Sequence, residues 1–205
     1  MADDPDALSE QALAEGLRAA GFQLLELRYE GASIPIQAAW AATTCQPGEG
    51  GRCDVIYDLD SLDLVGQLNS TWSRVVTEVG LLDGNGRFLL SVISSNSGLP
   101  EPHWALVCVR EDSDIAGIGA SYGIFGFRPG YIEFAAASLD GRAIVRGTLW
   151  QSTAGILAIS DARGSIRLRE YVRGLSERGV LPADEDLRAQ IWLATEEGSS
   201  GSQSL

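Results

Sequence analysis

Tyr131-Ile-Glu-Phe-Ala-Ala-Ala-Ser-Leu-Asp-Gly-Arg-Ala-Ile-Val-Arg-Gly-Thr-Leu-Trp150 decides the fold, because turn chemistry and strand pattern demand the same structure there. Asp140-Gly141 is a two-residue hairpin signal of the type I′ kind, in which both central residues take positive φ. Closing the turn there sets the register. Ser138 faces Ala143, Ala136 faces Val145, Phe134 faces Gly147 and Ile132 faces Leu149 on one apolar side. The other side pairs Ala137 with Ile144, Ala135 with Arg146, Glu133 with Thr148 and Tyr131 with Trp150, and brings Glu133 within reach of a cross-strand ion pair with Arg146. Phe134 over Gly147 covers a bare backbone patch with an aromatic ring. The stretch is thus a hairpin with one face in the core, and Gly155-Ile-Leu-Ala-Ile-Ser160 is a neighbouring strand.

Outward from the hairpin, the chain has 205 residues, enough for one well-buried domain or two small ones. It is 45% hydrophobic and 21% charged, the composition of a globular protein. A net charge of −13 repels phosphate backbones and anionic headgroups, which argues against nucleic-acid and membrane partners. Every basic residue is arginine. The acidic opening Met1-Ala-Asp-Asp-Pro-Asp is unlike a secretory signal, and no apolar run reaches the ~18 residues of a membrane span, so a cytoplasmic protein is expected. Cys45, Cys53 and Cys108 are too sparse for a disulfide framework. Cys45 and Cys53 read as free loop thiols, with a short-loop disulfide as the alternative, and Cys108 as a buried apolar residue.

Toward the N-terminus, Ser9 caps a helix whose Leu13, Leu17 and Ala20 face inward, Leu8 and Leu13 form a staple, and Gly21 is the left-handed stop. Residues 22–29 alternate as a strand, and Ile34, Ile36, Ala38 and Trp40 repeat the period of two as a second strand. Asp54-Val-Ile-Tyr-Asp58 is a short strand. A helix from Ser61 ends near Asn69. Residues 72–82 fit either a strand or a helical face; the strand is preferred because Asp83-Gly-Asn-Gly86 is a hairpin loop leading into Arg87-Phe-Leu-Leu-Ser-Val-Ile93.

Ser61-Leu-Asp-Leu-Val-Gly-Gln-Leu-Asn69, a following strand, the Asp-Gly-Asn-Gly turn and a second strand resemble the middle of the YbjN family, whose fold is similar to type III secretion chaperones. The helix ending at Gly21 before a hairpin resembles that family's start. The resemblance covers residues 8–94 at most, and Gly66 stands where the family's helix usually carries the first of two asparagines. It implies a non-catalytic chaperone or regulatory binding module, and it assigns no site residues.

Toward the C-terminus, Ser94-Ser-Asn-Ser-Gly-Leu-Pro-Glu-Pro102 either divides two domains or joins two halves of one sheet. The corresponding organisation is an α+β unit over 1–94, a linker or loop over 95–102, an antiparallel region with C-terminal helices over 103–197, and a disordered tail over 198–205. His103-Trp-Ala-Leu-Val-Cys-Val-Arg110 is a buried strand. Ser165 caps a helix carrying Leu168, Tyr171, Val172 and Leu175 that stops at Gly179, and Asp184 caps a last helix with Leu187, Ile191 and Ala194 inward. The fold class is therefore α+β, antiparallel strands with an N-terminal helix and two C-terminal helices.

Chemistry-bearing motifs are few. Gly117-Ile-Gly-Ala-Ser-Tyr-Gly-Ile-Phe-Gly126 has Tyr122 where a dinucleotide loop needs its third glycine, and hairpin strands come after it, so its glycines read as close packing. His103 is the single histidine and sits beside a loop; five residues along one strand, Cys108 points to the opposite face and makes a poor dyad partner. The Asp58, Asp60 and Asp63 set and the Asp83 and Asn85 pair lack the EF-hand glycine and glutamate, and the cysteine spacing is not that of a zinc site. No cofactor, metal or catalytic residue is nominated. Arg163, Arg167, Arg169, Arg173 and Arg178 form either a solvated helix face with pairs such as Arg173 to Glu177 or a basic face for an acidic partner or a second copy. The sequence points first to an intracellular protein-binding module with Trp40, Trp104, Tyr131 and Trp150 as aromatic anchors and Arg163, Arg167 and Arg173 as charged contacts. A hydrolase or other small-molecule enzyme using His103, and a subunit of a larger assembly, are the alternatives.

Overall fold

The computed structural model describes residues 9–93, 102–110 and 112–194. The Leu8 half of the staple and the C-terminal tail lie outside them. α1 (Glu10–Ala19) begins at Ser9, whose hydroxyl accepts from the Ala12 N–H, and ends before Gly21 at φ +87°. Then come β1 (Phe22–Glu26), α2 (Ile36–Trp40), β2 (Cys53–Asp58), α3 (Leu64–Glu78), β3 (Arg87–Ile93), β4 (Pro102–Val109), β5 (Gly126–Arg128), β6 (Tyr131–Ile132), β7 (Phe134–Ala137), β8 (Ile144–Leu149), β9 (Thr153–Ile159), α4 (Ile166–Glu177) and α5 (Ala183–Ala194). The fold is α+β. Seven strands form one antiparallel sheet in the order β1-β4-β3-β7-β8-β9-β2, and β5 with β6 makes a separate ribbon. β3 and β4 pair from Arg87 with Cys108 to Ile93 with Pro102, so the segment 94–101, itself outside the described residues, connects neighbouring strands of one sheet.

Helices cover both faces. Leu13 and Leu17 of α1 and Leu68, Trp72 and Val75 of α3 pack on Phe88, Phe134, Val145 and Ile156 of one face. Ile36 and Ala39 of α2, Leu168 and Val172 of α4 and Trp192 of α5 pack on Leu89, Trp104, Ile144 and Leu157 of the other. Strands buried on both faces lose the alternation of polar and apolar residues and read as continuous apolar runs. The hairpin accordingly has both faces buried, not one.

The register from Phe134 opposite Gly147 to Ala137 opposite Ile144 is the expected one, and Ser138 N–H donates to the Ala143 carbonyl. The turn type differs. Gly141 takes φ +71° but Asp140 keeps negative φ, because the Asp140 carboxylate accepts from the Ser138 hydroxyl and the Arg142 N–H and closes a four-residue loop. The outer pairs also differ. Tyr131 and Ile132 pair with β5 and not with β8, although the Ile132 side chain still lies against Gly147; Gly126 of β5 permits a backbone approach in which any Cβ would lie 1.9 Å from the Tyr131 carbonyl oxygen. Arg146 makes no ion pair with Glu133. It stacks 4.1 Å from the Trp40 ring centroid and donates to the Trp40 carbonyl.

Three further expectations are corrected. Residues 34–40 hold α2 instead of a strand: Pro35 opens it, and Ile36, Ala38 and Ala39 are buried between the sheet and α4, so the period of two over Ile34 to Trp40 is incidental to apolar residues on all sides. Residues 72–78 continue α3 instead of forming a strand. Leu64, Leu68, Thr71, Trp72, Val75 and Val76 make its buried stripe, and the Trp72 ring sits 5.6–6.3 Å from those of Phe22, Phe88, Phe125 and Phe134. That burial overrides the strand preference of valine. In α5 the inward residues are Glu185, Ala189 and Trp192, while Leu187, Ile191 and Ala194 are exposed, because the Trp192 indole reaches the Gly141 carbonyl and fixes the helix's rotation.

Candidate functional site

Three loops meet at one end of the sheet. The Leu59 N–H donates to the Ser152 carbonyl, joining the exit of β2 to the β8–β9 turn, and the Leu64 side chain rests against Gly130 of the β5–β6 turn. Gly130 takes φ +80°, which lets that turn follow Pro129 closely. These loops and the adjoining strand β5 carry large apolar side chains outward: Leu62 is 108% exposed, Phe127 of β5 68% and Trp150 61%. Tyr131 lies among them, half-buried beneath the Arg128 guanidinium, whose carbon is 3.7 Å from the ring centroid. Asp58, Asp60 and Asp63 are exposed along the same loops.

The other two expected anchors are elsewhere. Trp104 is 2% exposed and donates to the Ile34 carbonyl, and half-buried Trp40 donates to the Ser91 hydroxyl, so both hold the helical layer on the sheet. Burial of the Arg146 guanidinium beneath Trp40 lowers its pKa to about 10. Of the arginines, Arg163 donates to the Asp140 carbonyl and Arg167 gives its N–H to the Glu49 carboxylate, while Arg173 is exposed. Glu49 also accepts from Gln46 N–H and the Ser165 hydroxyl, and these bonds hold its carboxyl below the usual range. Its role had no signal in the sequence, since its partners Ser165 and Arg167 lie more than a hundred residues away.

His103 lines a cleft of about 240 Å³ with Arg28, Asp184, Glu185 and Arg188. Glu185 is buried and accepts from the Ile36 N–H at 2.8 Å and from Arg188, which in turn donates to the Ala32 carbonyl. Burial raises the Glu185 carboxyl above its ordinary value despite those bonds. The pair fastens α5 to the start of α2. Cys108 lies at the far end of β4 from His103. The three cysteines are free; Cys53 is exposed, whereas Cys45 is buried against the Ser165 hydroxyl and not in an open loop.

The glycine-rich segment is a packing device. Asp114 accepts from the Gly117 and Ile118 N–H groups, and Asn69 bridges it to the Ala116 N–H, so a tight turn over Ile115–Gly119 is clamped to α3. Phe127, in that segment's continuation, is missed by sequence reasoning, although an apolar residue beside the turn residues Arg128-Pro-Gly130 is a signal readable in the chain. Among the described residues no group of His, Cys, Asp and Glu side chains could hold a metal ion, and no helix is long and apolar enough to cross a membrane. Comparison of the chain with protein-family models, with curated proteins and with solved structures gave no match.

Proposed function

We propose that the chain is a non-enzymatic cytoplasmic protein-binding module, chaperone-like or regulatory, whose contact surface is the end formed by Leu62, Phe127, Tyr131 and Trp150. The observation that carries this reading is the exposure of Leu62 and Trp150 on two loops fastened to each other, and of Phe127 on β5 next to the turn against which Leu64 rests. Large aromatics that a fold leaves in water are the residues that dominate binding energy at interface centres, each costing about 2 kcal/mol or more on truncation.

The test is site-specific photo-crosslinking from position 127 in the full chain inside the producing cell, with position 180 as an exposed apolar control. A discrete adduct from 127, absent from 180 and lost in Trp150→Ala, is expected. Identical adducts from both positions, or none from 127, would overturn the reading. The cleft around His103, Asp184 and Arg188 favours a second reading, a small-molecule enzyme; thermal-shift screening of His103→Ala against the natural chain tests it, ligand stabilisation lost in the variant being the supporting result.

A further inference from the structure

The cleft of about 240 Å³ adjoins a second of about 340 Å³, and Gln37 of α2 and Pro102 of β4 line both. The two differ in charge. Arg28, Glu30, Asp184, Glu185 and Arg188 line the first, whereas the second has no charged side chain among the described residues, its walls including Ile36, Trp40, Ala41 and Tyr171. In the first cleft the Arg188 guanidinium is fully engaged, donating to the Glu185 carboxylate and to the Ala32 and Glu30 carbonyls. Neither Arg28 nor His103 is without a partner. The Glu30 and Asp184 side chains are exposed and have no hydrogen bond or ion pair among the described residues. Asp184 is one of three acidic residues in the first turn of α5, more negative charge than the half-charge of a helix N-terminus offsets. The Gln37 carboxamide oxygen is enclosed and has no partner, an acceptor withdrawn from water without a donor. The charges left uncompensated here are thus both negative, and the enclosed polar atom without a partner is an acceptor.

We propose that the adjoining clefts bind a small primary amine with an apolar body, its ammonium among Glu30, Asp184 and the Gln37 oxygen and its body against Trp40 and Tyr171. An alkylammonium carries one positive charge and three N–H donors, which match two carboxylates and one neutral acceptor. No hydrogen bond holds the Gln37 side chain, so its oxygen turns into the cleft to accept one. The uncharged second cleft calls for an apolar body, and the two clefts together fall within the roughly 300–1,000 Å³ of small-molecule sites. Trp40 is a fixed wall, since its indole N–H donates to the Ser91 hydroxyl and the Arg146 guanidinium stacks on its ring. A metal cation does not fit, because no group of His, Cys, Asp and Glu among the described residues could hold one. An anionic ligand meets Glu30 and Asp184 and is repelled, while the net charge of −13 concentrates cations around the chain. The inference rests on the small-molecule reading of this cleft, needs no reaction there, and shares no residue with the surface formed by Leu62, Phe127, Tyr131 and Trp150.

Isothermal titration calorimetry of the full chain with phenethylamine tests this. Binding at one site with a Kd below about 1 mM is expected. Phenylalanine, which adds a carboxylate to the same skeleton, binds at least about tenfold more weakly, and so does N-trimethylated phenethylamine, which keeps the charge but has no N–H donor. Gln37→Met keeps the bulk of the side chain and removes the acceptor, and Glu30→Gln combined with Asp184→Asn removes both charges; each weakens phenethylamine binding about tenfold. Asp60→Asn, at an exposed carboxylate outside the cleft, leaves it unchanged. The analogues are compared on the natural chain, so that arm is independent of how the variants fold. The inference is overturned if phenethylamine gives no binding at millimolar concentration, if either analogue binds as tightly, if the cleft variants bind it as the natural chain does, or if Asp60→Asn weakens it as much as they do. Should the amine fail while another ligand stabilises the natural chain and not His103→Ala, the small-molecule reading survives it; failure of both removes the two together.

Discussion

Asn69 is the residue whose replacement tests the architecture most sharply. Its amide donates to Asp114 Oδ1 at 2.7 Å and its carbonyl oxygen accepts from the Ala116 N–H at 3.0 Å. Burial alone would raise the Asp114 carboxyl, but hydrogen bonds from the Ile118 N–H, Asn69 and the Gly117 N–H outweigh it and hold the group below its ordinary value. Asn69→Ala removes a bond to a charged group and strands a buried N–H, together about 3 kcal/mol. For a chain of this size that lowers Tm by roughly 6–12 °C. Asn69→Asp is the sharper variant. It keeps the acceptor for Ala116 but sets two carboxyl oxygens at the distance now spanned by a hydrogen bond, where both cannot be ionised. The native pair then binds a proton more tightly than the unfolded chain does, so this variant gains stability as pH falls through the pair's raised value, by about 1.4 kcal/mol per pH unit. Asp114 in the natural chain has the opposite sign: its depressed carboxyl contributes stability above its unfolded pKa, lost only as pH falls through the lower folded value. Urea unfolding at pH 7, 6 and 5 should therefore show the gap between natural chain and Asn69→Asp closing by about 2 kcal/mol on acidification, other groups cancelling in the difference. A gap independent of pH, or an Asn69→Ala cost under about 0.5 kcal/mol, would refute the clamp between α3 and the turn at Ile115–Gly119.

Gly147→Ala should cost about 1–3 kcal/mol in the same assay, because a Cβ there lies 2.5 Å from the Phe134 ring, which has no room to retreat. Trp192→Ala should cost about 3–5 kcal/mol and Leu187→Ser less than about 0.5, which checks the rotation of α5 by thermal unfolding. A thiol-reagent titration of the native chain should find Cys53 reacting rapidly, with Cys45 and Cys108 released on unfolding, since burial raises the Cys45 thiol and Cys108 is also buried.

Residues 131–150 were legible where local chemistry and pairing coincide. Phe134 faces Gly147 because a ring and a bare backbone fit each other wherever the hairpin is placed. Tyr131 and Ile132 escaped the same logic because their partner strand is created by Gly126, whose close approach to the Tyr131 carbonyl depends on the tertiary fold. Helix α3 shows a related limit. The spacing of Leu68, Trp72, Val75 and Val79 was visible, yet the loop at Asp83 argued for a hairpin; four surrounding aromatic rings, supplied by β1, β3, β7 and the segment before β5, decide for the helix. Composition alone identifies Trp40, Trp104, Tyr131 and Trp150 as equivalent anchors. Burial separates them, because a three-layer arrangement with helices on both faces consumes two tryptophans as packing and leaves Trp150 at a turn that no layer covers. The openness of β2 is harder still to read from sequence. Whether Asp54-Val-Ile-Tyr-Asp58 is a guarded interior strand or a bare edge depends on where the chain places β9 and whether a later strand pairs on the far side. Once β2 is known to be last in the sheet, the two aspartates flanking Ile56 are seen to differ: Arg52, two residues along the same side of the chain, donates to both carboxylate oxygens of Asp54 and compensates its charge, whereas Asp58 faces solvent.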